Sequence, residues 1–88
     1  MKLTVRYFAR VREVLGPVEH WAWSHDAADT PQTVGDLRSW LSLRSEAHAQ
    51  VLATDQGLRA AIDQAMCDSS HPLHDGAEVA FFPPVTGG

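Results

Sequence analysis

The chain has a single cysteine, Cys67, in 88 residues. One cysteine makes no internal disulfide and ligates neither an iron–sulfur cluster nor a zinc knuckle. Basic residues are also scarce: 7 lysines and arginines face 11 aspartates and glutamates, for a net charge of −4. A nucleic-acid binder would carry a broad basic face, so no nucleic-acid partner is expected. No apolar run approaches the roughly 20 residues that cross a bilayer. Met1-Lys2-Leu3-Thr4-Val5 reads as a strand rather than a leader peptide. A cytoplasmic protein without a membrane partner is expected. The chain is also short. One domain of this size buries only roughly 60–65% of its unfolded surface, which leaves little volume for an internal active site. A carrier, adaptor or subunit fits such a chain better than a self-sufficient enzyme.

What is present is clear periodicity. Residues 2–10 alternate, with Leu3, Val5, Tyr7 and Ala9 on one side and Lys2, Thr4, Arg6, Phe8 and Arg10 on the other. Period two predicts a half-buried strand over this stretch. On that reading Lys2, Arg6, Arg10 and Arg12 form its solvated face, or a docking face for an acidic partner. Gly16-Pro17 breaks the chain, and a second strand over residues 18–24 carries Trp21 and Trp23 on one face. The short connection predicts an antiparallel hairpin.

Residues 26–31 read as a loop. Thr33 is the best N-cap, with Asp36 at the capping-box position. Val34, Leu37, Trp40 and Leu41 then recur at helical spacing, which predicts the main helix over residues 33–44. A shorter helical stretch follows over residues 46–53. Asp55-Gln56-Gly57 is a turn, residues 58–63 a strand built on Leu58, Ala60 and Ile62, and residues 65–67 a short edge strand. Asp75-Gly76 is a strong turn signal before a last strand, residues 78–82. There Val79 and Phe81 face one way, Ala80 and Phe82 the other. Strands on one helix-covered sheet make an α+β fold. If the first and last strands pair in the sheet centre, that fold is a ubiquitin-like β-grasp, a mixed sheet packed by one main helix.

The chain closes with Phe81-Phe82-Pro83-Pro84-Val85-Thr86-Gly87-Gly88. Pro83 and Pro84 lack the N–H that sheet pairing needs and favour an extended, polyproline-like path. The organisation expected is a domain over residues 1–82 and an extended tail over residues 83–88. Gly87 and Gly88 have no side chains and would enter a channel too narrow for any other residue. A free carboxylate on Gly88 is a poor electrophile, and adenylation by ATP would give it a good leaving group. A sulfur nucleophile would then make a thiocarboxylate at the tip of the arm.

The segment Asp75-Gly76-Ala77-Glu78-Val79-Ala80-Phe81-Phe82-Pro83-Pro84-Val85-Thr86-Gly87-Gly88 closely resembles the end of the small subunits of molybdopterin synthase. His71-Pro72-Leu73 and Tyr7-Phe8-Ala9-Arg10-Val11-Arg12-Glu13 fit the same family. The resemblance implies a β-grasp fold and a sulfur carrier that is no enzyme on its own. It implies that a ubiquitin-activating-like adenylyltransferase consumes ATP at Gly88, while the carrier itself holds no cofactor. A sulfur-donor system would then form the thiocarboxylate. The tail, with Thr86 and Gly87 behind Gly88, would insert into the large subunit of molybdopterin synthase. There it would deliver sulfur to cyclic pyranopterin monophosphate, within a heterotetramer. The family docks through an exposed apolar patch, and the matching positions here are Phe8, Met66 and Phe82. Sequence alternation independently puts Phe8 and Phe82 on the wet side of their strands, where an aromatic has no core to fill. The runner-up is a sulfur carrier of thiamine biosynthesis or a ubiquitin-related protein modifier, which share the Gly-Gly end but generally lack this lead-in.

Two other features are weaker. His71 and His74, near Asp68 and Asp75, invite a metal site, but a His-x-x-His stretch broken by Pro72 reads as a surface loop, and no metal is expected. Cys67 reads as a small packed residue at a strand edge rather than a sulfur donor.

Overall fold

The computed structural model describes residues 1–53 and 57–84. The turn expected at Asp55-Gln56-Gly57 falls largely outside the described residues. So do Thr86, Gly87 and Gly88 of the tail. The elements run β1 Lys2–Tyr7, α1 Ala9–Leu15, β2 Val18–Ala22, α2 Val34–Ser42, α3 Glu46–Leu52, β3 Arg59–Ile62, β4 Ala65–Cys67 and β5 Glu78–Phe82.

The strands form one sheet in the order β2-β1-β5-β3-β4. β1 and β5 pair in parallel, with Val5 opposite Val79 and Tyr7 opposite Phe81. The other three pairings are antiparallel. A central parallel pair made by the first and last strands, flanked by a hairpin-like pair on each side, is the β-grasp arrangement. The inward residues of the central pair, Leu3, Val5, Tyr7, Val79 and Phe81, are all buried. Val34, Leu37 and Leu41 of α2 and Val51 and Leu52 of α3 close over them in one cluster. Each fully buried aliphatic side chain of this kind contributes roughly 1.5–3 kcal/mol.

The main helix starts where sequence places it. Thr33 Oγ1 accepts a hydrogen bond from the Asp36 N–H at 3.1 Å, and Asp36 Oδ2 accepts from the Thr33 N–H at 3.2 Å. This reciprocal pair satisfies two donors that a helix start leaves open. The helix ends at Ser42, two residues earlier than the periodicity predicts. The second helical stretch is α3, capped by Ser45, whose hydroxyl accepts from the His48 N–H at 3.1 Å.

The first strand is shorter than predicted. It stops at Tyr7, and residues 9–15 form α1 instead. Arg10 and Arg12 therefore lie on a helix, not on a strand face with Lys2 and Arg6. Phe8 sits at the N-cap of α1, just beyond the strand. Ala9 takes a left-handed backbone with φ of 53°, which redirects the chain. β1 and β2 do pair antiparallel, but a helix rather than a tight turn joins them.

The tryptophans have a structural role. Trp40 of α2 lies edge-on to Trp21 and Trp23, with ring centroids 4.9 and 4.8 Å away. The Arg44 guanidinium stacks 3.9 Å from the Trp40 ring, and Trp40 Nε1 donates to Asp29. This cluster fastens the edge strand β2 to the main helix.

Candidate functional site

The helices cover one face of the sheet, and the other face is open. Outward positions on the central strands are Arg6 on β1 and Glu78, Ala80 and Phe82 on β5. Alternation sends them there because Leu3, Val5, Tyr7, Val79 and Phe81 turn inward. Ala61 of β3 and Met66 of β4 extend the same surface, since they pair directly with each other and Ala61 pairs with Ala80.

These residues bound a shallow groove of about 670 Å³, lined by Arg6, Phe8, Met66, Ala80, Phe82 and Pro83 among others. Phe8 and Phe82 meet edge to face with centroids 6.5 Å apart. Phe8 is 44% exposed and Met66 62%. The three positions that the resemblance singles out, from the end of β1, from β4 and from β5, thus share one groove. Arg6 Nε bonds Glu78 Oε2 at 3.0 Å along its flank. Sequence reasoning missed the floor, Ala61 and Ala80. Their small side chains let the aromatics and Met66 stand above the sheet. The available signal was alanine at two outward positions of otherwise apolar strands.

Phe82 is the last residue of β5, and sheet pairing ends before Pro83. Pro83 forms the end of the groove and Pro84 is exposed. The chain therefore leaves the sheet beside the apolar groove.

The ThiS family model matches residues 5–88. The chain belongs to the ThiS family. Its sequence is 45% identical to the molybdopterin synthase sulfur carrier subunit of Escherichia coli, over 98% of this chain and 99% of that protein. It is 37% identical to the protein of the same name from Haemophilus influenzae, again over 98% of this chain and 99% of the relative. Family membership thus extends to the molybdopterin synthase sulfur carrier subunits. The fold matches a Helicobacter pylori structure, a complex of subunits 1 and 2 of molybdopterin-converting factor. That match has a TM-score of 0.66, 22% identity and complete coverage of both chains.

Within this family member, Cys67 is half-buried on β4 and its inner side borders the core. Burial, and then the Asp68 charge, push its thiol pKa up. A raised pKa leaves less thiolate and so a weaker nucleophile.

The histidines after β4 have separate local partners. His71 Nδ1 donates to the Pro72 carbonyl. His74 Nε2 bonds Asp63 Oδ2 at 2.8 Å and Nδ1 donates to the Asp75 carbonyl. Asp68 caps the turn at Ser70, and Asp75 accepts from the Lys2 N–H. Among the described residues, no three His, Cys, Asp or Glu side chains are gathered as a metal-holding group.

Both His74 nitrogens face acceptors, so the imidazolium is favoured and its pKa lies above the ordinary 6.5, chiefly through the Asp63 bond. Asp63 lies below 3.8, first because the Glu78 N–H donates to it and then because His74 does. The His74 contribution to stability is complete below about pH 6.5 and is lost as pH rises through the raised folded value. The Asp63 contribution is complete above about pH 3.9 and is lost as pH falls through the lowered folded value. Both side chains are open to solvent, so the effect is read in titration rather than in melting. In a proton NMR titration, the His74 midpoint is expected above 6.5. It should move down in Asp63→Asn, a change that tolerates the left-handed backbone at residue 63. A His74 midpoint that ignores the substitution would show that the pair does not persist in solution.

Proposed function

We propose that this chain carries sulfur on the carboxyl of Gly88 for molybdopterin synthesis. The observation that carries the reading is the family match, which runs to residue 88 in a chain whose relatives are named sulfur carrier subunits. Residues 1–82 supply a rigid body, and residues 83–88 serve as the arm. Pro83 and Pro84 stiffen the arm's base, and six residues fully extended reach at most about 22 Å.

The chemistry belongs to the partners. A ubiquitin-activating-like adenylyltransferase binds the body and presents ATP to the Gly88 carboxylate. The carboxylate attacks the α-phosphate, pyrophosphate leaves, and an acyl adenylate forms. A sulfur-donor system then displaces AMP and leaves a thiocarboxylate. The carrier holds no cofactor of its own, and ATP is consumed in the activating enzyme. The charged arm enters the large subunit of molybdopterin synthase, where its sulfur passes to cyclic pyranopterin monophosphate. Thr86 and Gly87 occupy the entry channel. The H. pylori complex of subunits 1 and 2 supports a two-subunit arrangement of this kind.

The groove of Phe8, Met66 and Phe82 is the docking surface in this reading. It adjoins the base of the arm, so docking there aims the arm. Phe82→Asp would place an unpaired charge in an apolar contact. Affinity for the large subunit should fall by about 2–4 kcal/mol, as for an interface hot spot. The isolated variant should stay folded, because Phe82 points away from the core. Titration calorimetry with the purified large subunit measures this. Unchanged affinity would remove Phe82 from the interface.

The reading as a whole is tested by intact-mass analysis after incubation with ATP, the activating enzyme and a sulfur source. The expected product has one carboxyl oxygen exchanged for sulfur, on the C-terminal peptide, in the parent and equally in Cys67→Ser. Absence of this product with an active enzyme, or its loss in folded Cys67→Ser, would overturn the assignment.

A further inference from the structure

Cationic side chains are few here, and three of the seven have clear partners among the described residues. Arg6 is bonded to Glu78. Arg38 donates to the carbonyls of Leu52 and Ala53. Arg44 stacks on Trp40. Lys2 lies at the far end of β1 from the groove. Arg10, Arg12 and Arg59 are exposed, and none of them forms an ion pair among the described residues; of these, Arg10 and Arg59 are the two placed at the end of β5.

Their positions are complementary. Arg59 on β3 stands directly opposite Phe82 in the strand register. Arg10 on α1 shares a small groove with Pro83. β1, which leads into α1, and β3 are the two neighbours of β5. These two guanidinium groups therefore flank the end of β5 from opposite sides, where the chain leaves the sheet. The one carboxylate lining the apolar groove, Glu78, is taken up by Arg6.

We propose that Arg10 and Arg59 frame the docking groove and steer it onto an acidic rim around the apolar socket of the large synthase subunit. This rests on the carrier reading above. On a chain of net charge −4, two cations at one face with no ion-pair partner among the described residues give the molecule a polarity. An acidic rim attracts that face and repels the remainder, so encounters begin in the productive orientation. Steering of this kind raises the association rate while leaving dissociation largely to the apolar contacts. A carrier that must dock, discharge and leave gains from fast arrival without slow release.

The test is association kinetics of the full chain with the purified large subunit, at about 0.05 M and about 0.5 M salt. The double variant Arg10→Glu/Arg59→Glu should associate at least about tenfold more slowly at low salt. The difference from the parent should largely vanish at high salt, with the dissociation rate little changed. Arg10→Gln/Arg59→Gln should fall between the two. Melting curves check that these exposed changes leave the fold intact, and Phe82→Asp serves as the comparison. If Phe82→Asp prevents binding but the charge reversal leaves the association rate and its salt dependence unaltered, the steering proposal is wrong and the carrier reading stands. Faster association on reversal would mean a basic rim and would also overturn it. If Phe82→Asp and the reversal both bind like the parent, the docking face itself is wrong, and the proposal falls with it.

Discussion

A protein extended by one alanine after Gly88 is expected to melt like the parent and to deliver no sulfur. Both proposed transfers need reacting atoms about 3–3.5 Å apart, first carboxylate to α-phosphate and then thiocarboxylate to pterin. One residue of extended chain moves the terminal carboxylate by up to about 3.3–3.6 Å, as far as the whole reacting distance. Deleting Gly88 displaces it equally in the other direction. Among the described residues the core cluster reaches no further than Phe81, so the fold is expected to tolerate both changes. Gly87→Val should be as damaging to activity, since a β-branched side chain would have to enter the channel. Thiocarboxylate formation by mass spectrometry, followed by conversion of the pterin precursor with the large subunit, separates the two transfers. Sulfuration and normal product formation by the untrimmed alanine-extended protein would mean that Gly88 is not the carrier site.

Glu19→Ala should produce a large loss of stability for a single polar substitution. Glu19 sits on the inward side of β2. Its carboxylate accepts the Tyr7 hydroxyl hydrogen bond and faces His48 Nε2 at 3.0 and 3.1 Å. His48 Nδ1 in turn meets Ser45 Oγ at 2.7 Å. β1, β2 and α3 are thus joined by one polar chain beneath the surface. Tyr7 is almost wholly buried, and burial first, then the Glu19 bond and charge, raise its phenol far above the ordinary range. Removing Glu19 leaves that hydroxyl and one imidazole nitrogen without partners. Two such orphaned groups cost together about 2–4 kcal/mol. In a domain of this size that lowers Tm by about 10–25 °C. Glu19→Gln keeps an acceptor and should lose less. Thermal unfolding followed by circular dichroism decides the point. A Glu19→Ala protein that melts within a few degrees of the parent would show that the chain of bonds does not hold the fold.

The sequence was most legible where local chemistry and periodicity agreed. β5 runs Glu78–Phe82 as the Asp75-Gly76 turn and the alternation predict. α2 begins at its Thr33 box because that motif acts within four residues. α1 was hidden because Leu3, Val5, Tyr7, Ala9 and Val11 stay apolar in step, as if one strand continued. No side-chain cap and no acidic first turn mark its start. Its one buried residue, Val11, happens to keep the strand phase.

Pairing across the sheet was a different kind of information. Alternation assigned faces but not neighbours, so the central β1–β5 pair was a condition on the fold until topology supplied it. The groove was half legible: Phe8 and Phe82 were out of place for a core, whereas Ala61 and Ala80 carry no chemical signature. Glu19 was missed although it left a trace, a charged residue in phase with Trp21 and Trp23. Its partners lie on β1 and α3, and no local pattern connects positions so far apart in the chain.

The seam between β1 and β5 also governs when this molecule comes into being on the ribosome. The two strands of the central pair come from opposite ends of the sequence, so contact order is high and closure of the sheet is late. A nascent chain interrupted before β5 has its helices and edge strands but nothing to fill the gap between β1 and β3. Its apolar inner surfaces would stay uncovered, an aggregation-prone state that favours degradation. The last strand completes the domain only a few residues ahead of Gly88. A product cut short before β5 therefore cannot persist as a well-folded domain.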